Sequence, residues 1–325
     1  MSAESYRIVE VGDPDQPGMA LATVNMRSDY DKERNLRKYL EVIEIAASKK
    51  VGLLVFPETS LQGYLYQLAA DWTLSGDLLE YQYASAEPIP GRVSEVLVGK
   101  ARKHGMHIIY GFTEKNERYG GGYGNLYNSA AIVGPYGIVG VFRKLHIPGG
   151  ERHCFRSGRS MEVYETPAGR LGIQICYDIC FPEVSRVYAV KGADILVLPT
   201  AWPTSGDLTV YSTHQKEYGG ATYDLFCQVR ALENQTWLVA AGQTGTDPKE
   251  CFTFYGHSKI VHPSGLVIAE TRAEEGMAIA YGVDVKGEVL RARTKHFFGL
   301  NLLADRVPEM YREMGDAERF VPTVK

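Results

Sequence analysis

The sequence has no apolar run long enough to cross a membrane, because its longest runs are short and broken by glycine or proline. It has no even, closely spaced cysteine set either. The five cysteines stand at 154, 176, 180, 227 and 251, an odd number at wide spacing that argues against a disulfide framework. A reduced, cytoplasmic setting is the expectation. The opening MSAESYRIVE lacks a positive stretch followed by an apolar core, so it does not read as a signal peptide. Charge of neither sign is blocked: 35 basic and 39 acidic residues are interspersed, for a formal net charge of -4. That excludes the clustered basic footprint of a nucleic-acid binder. The glycine-rich loops fit neither the Walker pattern nor a GxGxxG after a strand. Cys176 and Cys180 are four apart, but no histidine or cysteine cluster joins them to complete a metal site. No cofactor and no metal is expected, and neither an internal repeat nor a low-complexity linker is found.

What remains is an ordinary globular composition, 45% hydrophobic and 23% charged, over 325 residues. Tyrosine is abundant, with 21 copies. Tyr64, Tyr66, Tyr81, Tyr83, Tyr119 and Tyr123 lie in loop-like stretches. They read as pocket or interface residues or as plain amphipathic packing, and Tyr64 is kept as a substrate-binding candidate.

Residues 1–18 read as a polar N-terminal extension, and MALATVNM as a first buried strand. Asp31 is placed to cap a helix over 32–50. VGLLVFPE is a continuous apolar strand ending in Pro57-Glu58. The segment 59–90 reads as irregular and aromatic, and a helix over 92–104 follows. Strands MHIIYGF, LYNSAAIVG and GIVGVFRK come next. A polar loop holding the Gly- and Tyr-rich stretch 118–125 separates the first two, and the turn signal GPYG joins the last two. MEVYET and GRLGIQIC form a strand pair about Pro167-Ala168-Gly169. A helix with proline at its start runs from Pro182 to Lys191, before the strand ADILVLPT. The stretch 201–222 reads as loop and helix start, followed by a helix over 223–234 and the strand TWLVAAG. HSKIVHPSG and AIAYGVDV read as the last strands, and 290–325 as a C-terminal arm. Alternating strands and helices indicate an α/β domain over 19–289. Strand pairs without intervening helices argue for mixed sheets in two packed layers rather than one parallel sheet.

Glu58, Lys144 and Cys176 each end a strand, a common position for reacting groups in α/β folds. Taken singly, each has a plain alternative as a turn carboxylate, a solvated lysine or a small buried hydrophobe. Together they offer a thiol nucleophile, a base for its proton and a cation for the charge that develops on the substrate.

Four stretches carry a family resemblance over nearly the whole chain. LLVFPETSLQGY, FRKLHIPGGERHCFRSG and GIQICYDICFPE resemble the glutamate, lysine and cysteine motifs of the nitrilase or carbon–nitrogen hydrolase superfamily, in order and separation. QVRALENQTWLVAAGQTG resembles its later Arg-Ala-x-Glu-Asn segment. The resemblance implies a four-layer α-β-β-α sandwich that dimerises through helices near the cysteine, with larger assemblies common. It implies Glu58 as general base, Lys144 as the stabilising cation, Cys176 as nucleophile and Glu151 as the second glutamate that orients the lysine. His146 either lines the pocket or holds the loop. Tyr177 offers its backbone N–H, Asp178 caps a helix or meets substrate, and Trp202 forms a pocket wall. Arg230, Glu233 and Asn234 form a polar structural network. Cys176-Tyr177-Asp178 looks more like amidases and carbamoylases than like nitrilases, which carry Cys-Trp-Glu. Ile179 and Cys180 replace the basic pair of D-amino-acid carbamoylases. The expected substrate is therefore an amide with an apolar or aromatic acyl part, with a carbamoyl compound second. A nitrile, acyl transfer or an inactive binding protein stands behind these.

Overall fold

The computed structural model describes residues 6–65, 76–116, 126–249 and 252–315. Tyr66, Tyr119, Tyr123 and the whole 118–125 loop lie outside the described residues. In chain order the strands are β1 (Arg7–Val11), β2 (Met19–Asn25), β3 (Leu53–Val55), β4 (His107–Lys115), β5 (Leu126–Gly134), β6 (Gly137–Arg143), β7 (Val163–Thr166), β8 (Gly169–Ile173), β9 (Ile195–Thr200), β10 (Leu208–Val210), β11 (Thr213–Gln215), β12 (Trp237–Gly242), β13 (Thr244–Thr246), β14 (Thr253–Tyr255), β15 (Lys259–Val261), β16 (Val267–Glu270) and β17 (Gly276–Val283). The described helices are α1 (Lys32–Ser48), α2 (Gly76–Ser85), α3 (Arg92–His104), α4 (Pro182–Val190), α5 (Tyr218–Asn234) and α6 (Val285–Thr294).

Two mixed sheets hold the molecule together. The larger runs β1-β17-β2-β3-β4-β5-β6 and the smaller β16-β15-β12-β9-β8-β7. Strand parity assigns the faces, because successive side chains point to opposite sides. Leu21, Leu53, Val55, Ile109, Ala130 and Ile132 turn inward onto the second sheet, in one core with Leu171, Ile173, Val197 and Val239. Their neighbours Ala22, Leu54, Phe56, Ile108, Tyr110 and Ala131 turn outward and pack with Tyr39 and Ile43 of α1 and Leu97 of α3. Tyr188 of α4 and Tyr223 and Cys227 of α5 cover the other sheet. The order is helix, sheet, sheet, helix. Hydrogen bonds also cross between the sheets, among them the Thr23 hydroxyl to the Ala240 carbonyl at 2.5 Å and the Tyr164 hydroxyl to the Val141 carbonyl at 2.8 Å.

Asp31 caps α1, its carboxylate accepting from the Arg34 N–H at 3.0 Å. Gly105, in the left-handed region at φ 68°, ends α3. The structure departs from the sequence reading in several places. Residues Arg7–Val11 of the expected extension pair in parallel with β17. An edge strand keeps one side in solvent, so Arg7 and Glu10 mask its alternation. Helix α2 lies inside the segment expected to be irregular, and its buried positions include Gln82 and Ser85 beside Leu78, which leaves no apolar period to find. The 201–222 stretch contains the exposed hairpin β10–β11. Helix α5 starts at Tyr218, inside the stretch read as loop and helix start, with Gly219 and Gly220 in its first turn.

Replacing Ile109 by alanine removes a fully buried side chain between the sheets. A loss of about 2–5 kcal/mol is expected in chemical denaturation. The same change at Leu266, which is 64% exposed, is expected to move stability by no more than about 0.5 kcal/mol.

Candidate active site

Chain segments from both sheets converge just beyond the C-terminal ends of β3, β8 and β9. After β3 the chain leaves the ladder at Phe56-Pro57, where proline has no N–H to offer a neighbouring strand. Glu58 follows at once. Gly111 of β4 lies directly behind it, and a Cβ there would stand 2.3 Å from the Pro57 carbonyl oxygen and 2.7 Å from the Glu58 Cα. Only glycine allows the two chain segments to pass so closely.

Lys144 is the first residue past β6, and its backbone N–H donates to the Asn128 carbonyl at 2.8 Å. Its ammonium donates to Glu58 Oε1 at 2.7 Å. It also reaches Glu151 Oε1 at 3.0 Å and Oε2 at 3.2 Å. Glu151 comes from a 3-10 helix, Gly149–His153. All three side chains are wholly buried. Glu58 is held further by the Asn128 side-chain amide on Oε1 at 2.7 Å and by the Ala201 N–H on Oε2 at 2.8 Å. The Gln243 side chain donates to its backbone carbonyl at 2.7 Å. Tyr64 donates its hydroxyl to Glu151 Oε1.

Cys176 follows the end of β8 and opens a 3-10 helix, Cys176–Cys180. Its φ is 46°, a left-handed conformation that costs a non-glycine residue roughly 1–3 kcal/mol. Burial pushes the Cys176 thiol well above the usual range, and the Glu58 charge pushes the same way. Lys144 opposes them without prevailing. The thiol therefore keeps its proton at neutral pH. Burial disfavours the Lys144 ammonium, but the Glu151 and Glu58 carboxylates outweigh it and hold the lysine charged. Burial raises Glu151 too, against the pull of Lys144. The pocket thus holds one firm cation, a carboxylate inclined to take a proton and a neutral thiol.

Of the eight site residues expected from sequence, five meet here: Glu58, Lys144, Glu151, Cys176 and Tyr64. Tyr64 contacts Glu151, while its role toward substrate is untouched by this geometry. His146 turns away. Its ring stacks on Phe181 at 3.7 Å, and its Nδ1 lies 2.8 Å from Asp178 Oδ1. It lines a cavity of about 400 Å³ with Arg152, Arg156 and Tyr177. Asp178 does not cap α4. It accepts from the Ile175 N–H at 3.0 Å and the His146 N–H at 2.9 Å, tying the cysteine turn to the lysine loop. The Tyr177 side chain is exposed and meets Phe181 edge-on. Trp202 follows Ala201, but its indole donates to the Gly219 carbonyl at 2.8 Å and packs on Tyr223 and Phe226. Arg230 binds the Ile179 carbonyl at 2.9 Å and Glu233 at 3.0 Å, and Asn234 donates to the Arg230 carbonyl at 2.9 Å. Sequence reading missed Asn128, Ala201 and Gln243. Asn128 and Gln243 are polar residues at the inner face or end of apolar strands, a faint signal, and a backbone N–H such as that of Ala201 leaves none.

The family model described as carbon-nitrogen hydrolase matches residues 20–285. A probable nitrilase of Schizosaccharomyces pombe is 33% identical over 87% of this chain and 93% of its own. An omega-amidase of Danio rerio is 30% identical over 83% of this chain and 91% of its own. The human deaminated glutathione amidase is 30% identical over 91% and 84%. Among solved structures, an amidase from Nesterenkonia sp. superposes with a TM-score of 0.69 at 22% identity, over 94% of this chain and 98% of its own.

Replacing Lys144 by methionine leaves two buried carboxylates facing each other. Urea denaturation is expected to show a loss of about 3–5 kcal/mol. Adding Glu58→Gln to that variant should restore part of the loss, since one of the two unpaired charges is then gone. A Lys144→Met protein as stable as the parent would contradict the buried ion pairing.

Proposed function

The chain belongs to the carbon–nitrogen hydrolase family, and on that premise we propose that it is an amidase that cuts a linear amide through a thioester on Cys176. The observation that carries this reading is the buried Lys144 ammonium between Glu58 and Glu151, gathered with the Cys176 thiol beyond the strand ends.

Glu58 takes the Sγ proton as sulfur attacks the carbonyl carbon. The oxygen that gains the negative charge is stabilised by Lys144 and by the backbone N–H of Tyr177. Protonated Glu58 then gives its proton to the leaving nitrogen, the C–N bond breaks, and ammonia or an amine departs. Water loses a proton to Glu58 and attacks the thioester. The C–S bond breaks, the acid leaves, and Cys176 regains its proton. Glu151 holds Lys144 in place, and Tyr64 holds Glu151.

The curated names of the relatives favour an amide over a nitrile, although one of them is named a probable nitrilase. Tyr64, Ala201 and Phe254 form a buried apolar cluster with Phe252 packed on it, beside Glu58 and Glu151. This supports an apolar or aromatic acyl part. Exposed Val187 and Val190 on α4 and Leu225 on α5 support assembly into a homodimer through these helices. No described helix is long and apolar enough to cross a membrane. Cys154, Cys176, Cys180 and Cys227 are free, which supports a reduced compartment.

Ammonia release from a panel of primary amides, N-carbamoyl compounds and nitriles tests the reading, with Cys176→Ala as control. Release from apolar amides, absent in Cys176→Ala, is expected. Release from carbamoyl compounds alone would move the assignment to a carbamoylase.

Glu58→Gln separates the two duties of the glutamate. Glu58 raises the thiol's pKa, so its neutralisation should shift thiolate absorbance to lower pH. Turnover should nonetheless fall by roughly 10²–10⁴-fold, for want of a proton carrier. A thiolate midpoint that stays put or rises would contradict this electrostatic arrangement.

A further inference from the structure

A second group of chemically capable side chains lies at the opposite end of the strands from the thiol. His262 follows β15, Glu288 sits in the first turn of α6, and His296 comes just after that helix. His262 packs edge-on against Trp237, the first residue of β12, at 4.9 Å between ring centres. Cys176, by contrast, stands past the C-terminal end of β8, which pairs in parallel with β9, as does β12. Separations of 26 and 8 residues hide the group from any spacing motif.

One ring nitrogen of each histidine and one carboxylate oxygen of Glu288 all lie within 4.8 Å of one another. His262 Nε2 is 3.1 Å from Glu288 Oε2. The two imidazole rings stand 5.7 Å apart, centre to centre, and are inclined at 47°. Two rings bound through nitrogen to one tetrahedral ion, at ~2.1 Å each, would have centres roughly 5 Å apart. The observed pair therefore needs only a small movement to share an ion.

Two further observations favour a ligand here. His296 Nδ1 is buried and has no hydrogen-bond partner among the described residues, a state that costs free energy unless something fills it. Glu288 is also held for single-oxygen ligation. Its Oε1 accepts from Arg291 at 2.8 Å, and Arg291 is steadied in turn by Asp284 at 2.9 Å, leaving Oε2 toward the histidines.

We propose that His262, Glu288 and His296 bind a divalent transition-metal ion of the zinc class, pinning α6 and the chain after it to the smaller sheet. Two imidazoles and one carboxylate suit zinc rather than magnesium or calcium, which prefer all-oxygen shells. His262 Nδ1 lies 2.8 Å from the Ser264 hydroxyl and 3.1 Å from the Ser264 N–H. The Ser264 N–H donates to Nδ1, so when an ion takes Nε2 and the ring proton moves to Nδ1, that bond is given up and the proton is donated to the Ser264 hydroxyl, which fixes the ring. The ion links both halves of the sandwich, since His262 follows a strand of the smaller sheet and α6 follows β17 of the larger.

The test uses full-length protein carrying Cys176→Ala, so that the active-site thiol does not compete, stripped with a chelator and then titrated. Calorimetry with zinc should show one equivalent binding saturably, with a raised thermal midpoint. Cobalt(II) should give the visible absorption of a tetrahedral site. His296→Ala and Glu288→Gln should each weaken binding by roughly tenfold or more while the circular dichroism of the metal-free protein stays unchanged. Glu288→Gln retains an oxygen toward His262, and it serves as the probe if His296→Ala does not fold. Absence of saturable binding, or binding unaffected by both substitutions, would overturn the proposal.

Discussion

A lysine ammonium with no access to water has to be paid for by its neighbours, and around Lys144 that requirement organises much of the molecule. Two carboxylates reach it, and both are also buried. One positive charge cannot neutralise two negative ones. The excess is relieved by donors on Glu58 from Asn128 and Ala201, by the Tyr64 hydroxyl on Glu151, and by the upward drift of the Glu151 pKa with burial. These donors come from both sheets, because Asn128 lies on β5 and Ala201 follows β9. The Gln243 amide adds a third tie, to the Glu58 backbone, from just past β12. Packing of the two sheets and positioning of the reacting groups are therefore one arrangement.

The same arrangement decides the state of the sulfur. A thiol beside His⁺ or a helix N-terminus commonly rests as thiolate. Cys176 instead is buried beside a carboxylate, and both influences keep it protonated. Such a thiol is inert until a base at close range takes its proton in step with attack, and the proton must then be available for the leaving nitrogen. A single glutamate that shuttles it meets both needs. The left-handed backbone at Cys176 is consistent with this, since strain of that kind persists where the surroundings over-determine a geometry.

Much of this was legible in the amino-acid order. The apolar runs at 51–58, 106–112 and 193–200 are buried on both faces and mark central strands without ambiguity. Glu58 and Cys176 stand just past buried strands, whereas Lys144 follows the half-exposed edge strand β6. Legibility fails where burial is one-sided or polar. The edge strand β1 alternates against solvent, and α2 buries a glutamine and a serine. The helpers Asn128 and Gln243 are recognisable only through what they touch across the sheets. The directions of the His146 and Trp202 rings depended on partners far along the chain, Phe181 and Asp178 for one and Gly219 and Tyr223 for the other. His262, Glu288 and His296 escape a sequence reading for the same reason.

Covalent chemistry at one sulfur, run by one glutamate, is the centre of this picture, and a rapid-quench mass measurement on the intact enzyme reaches it most directly. Mixed with a primary amide and quenched within the first turnover, the protein should gain the mass of the acyl group on the peptide that contains Cys176. One equivalent of ammonia should be released before steady-state acid formation. Ammonia formed with no acyl mass on the protein, or with that mass on another residue, would contradict it.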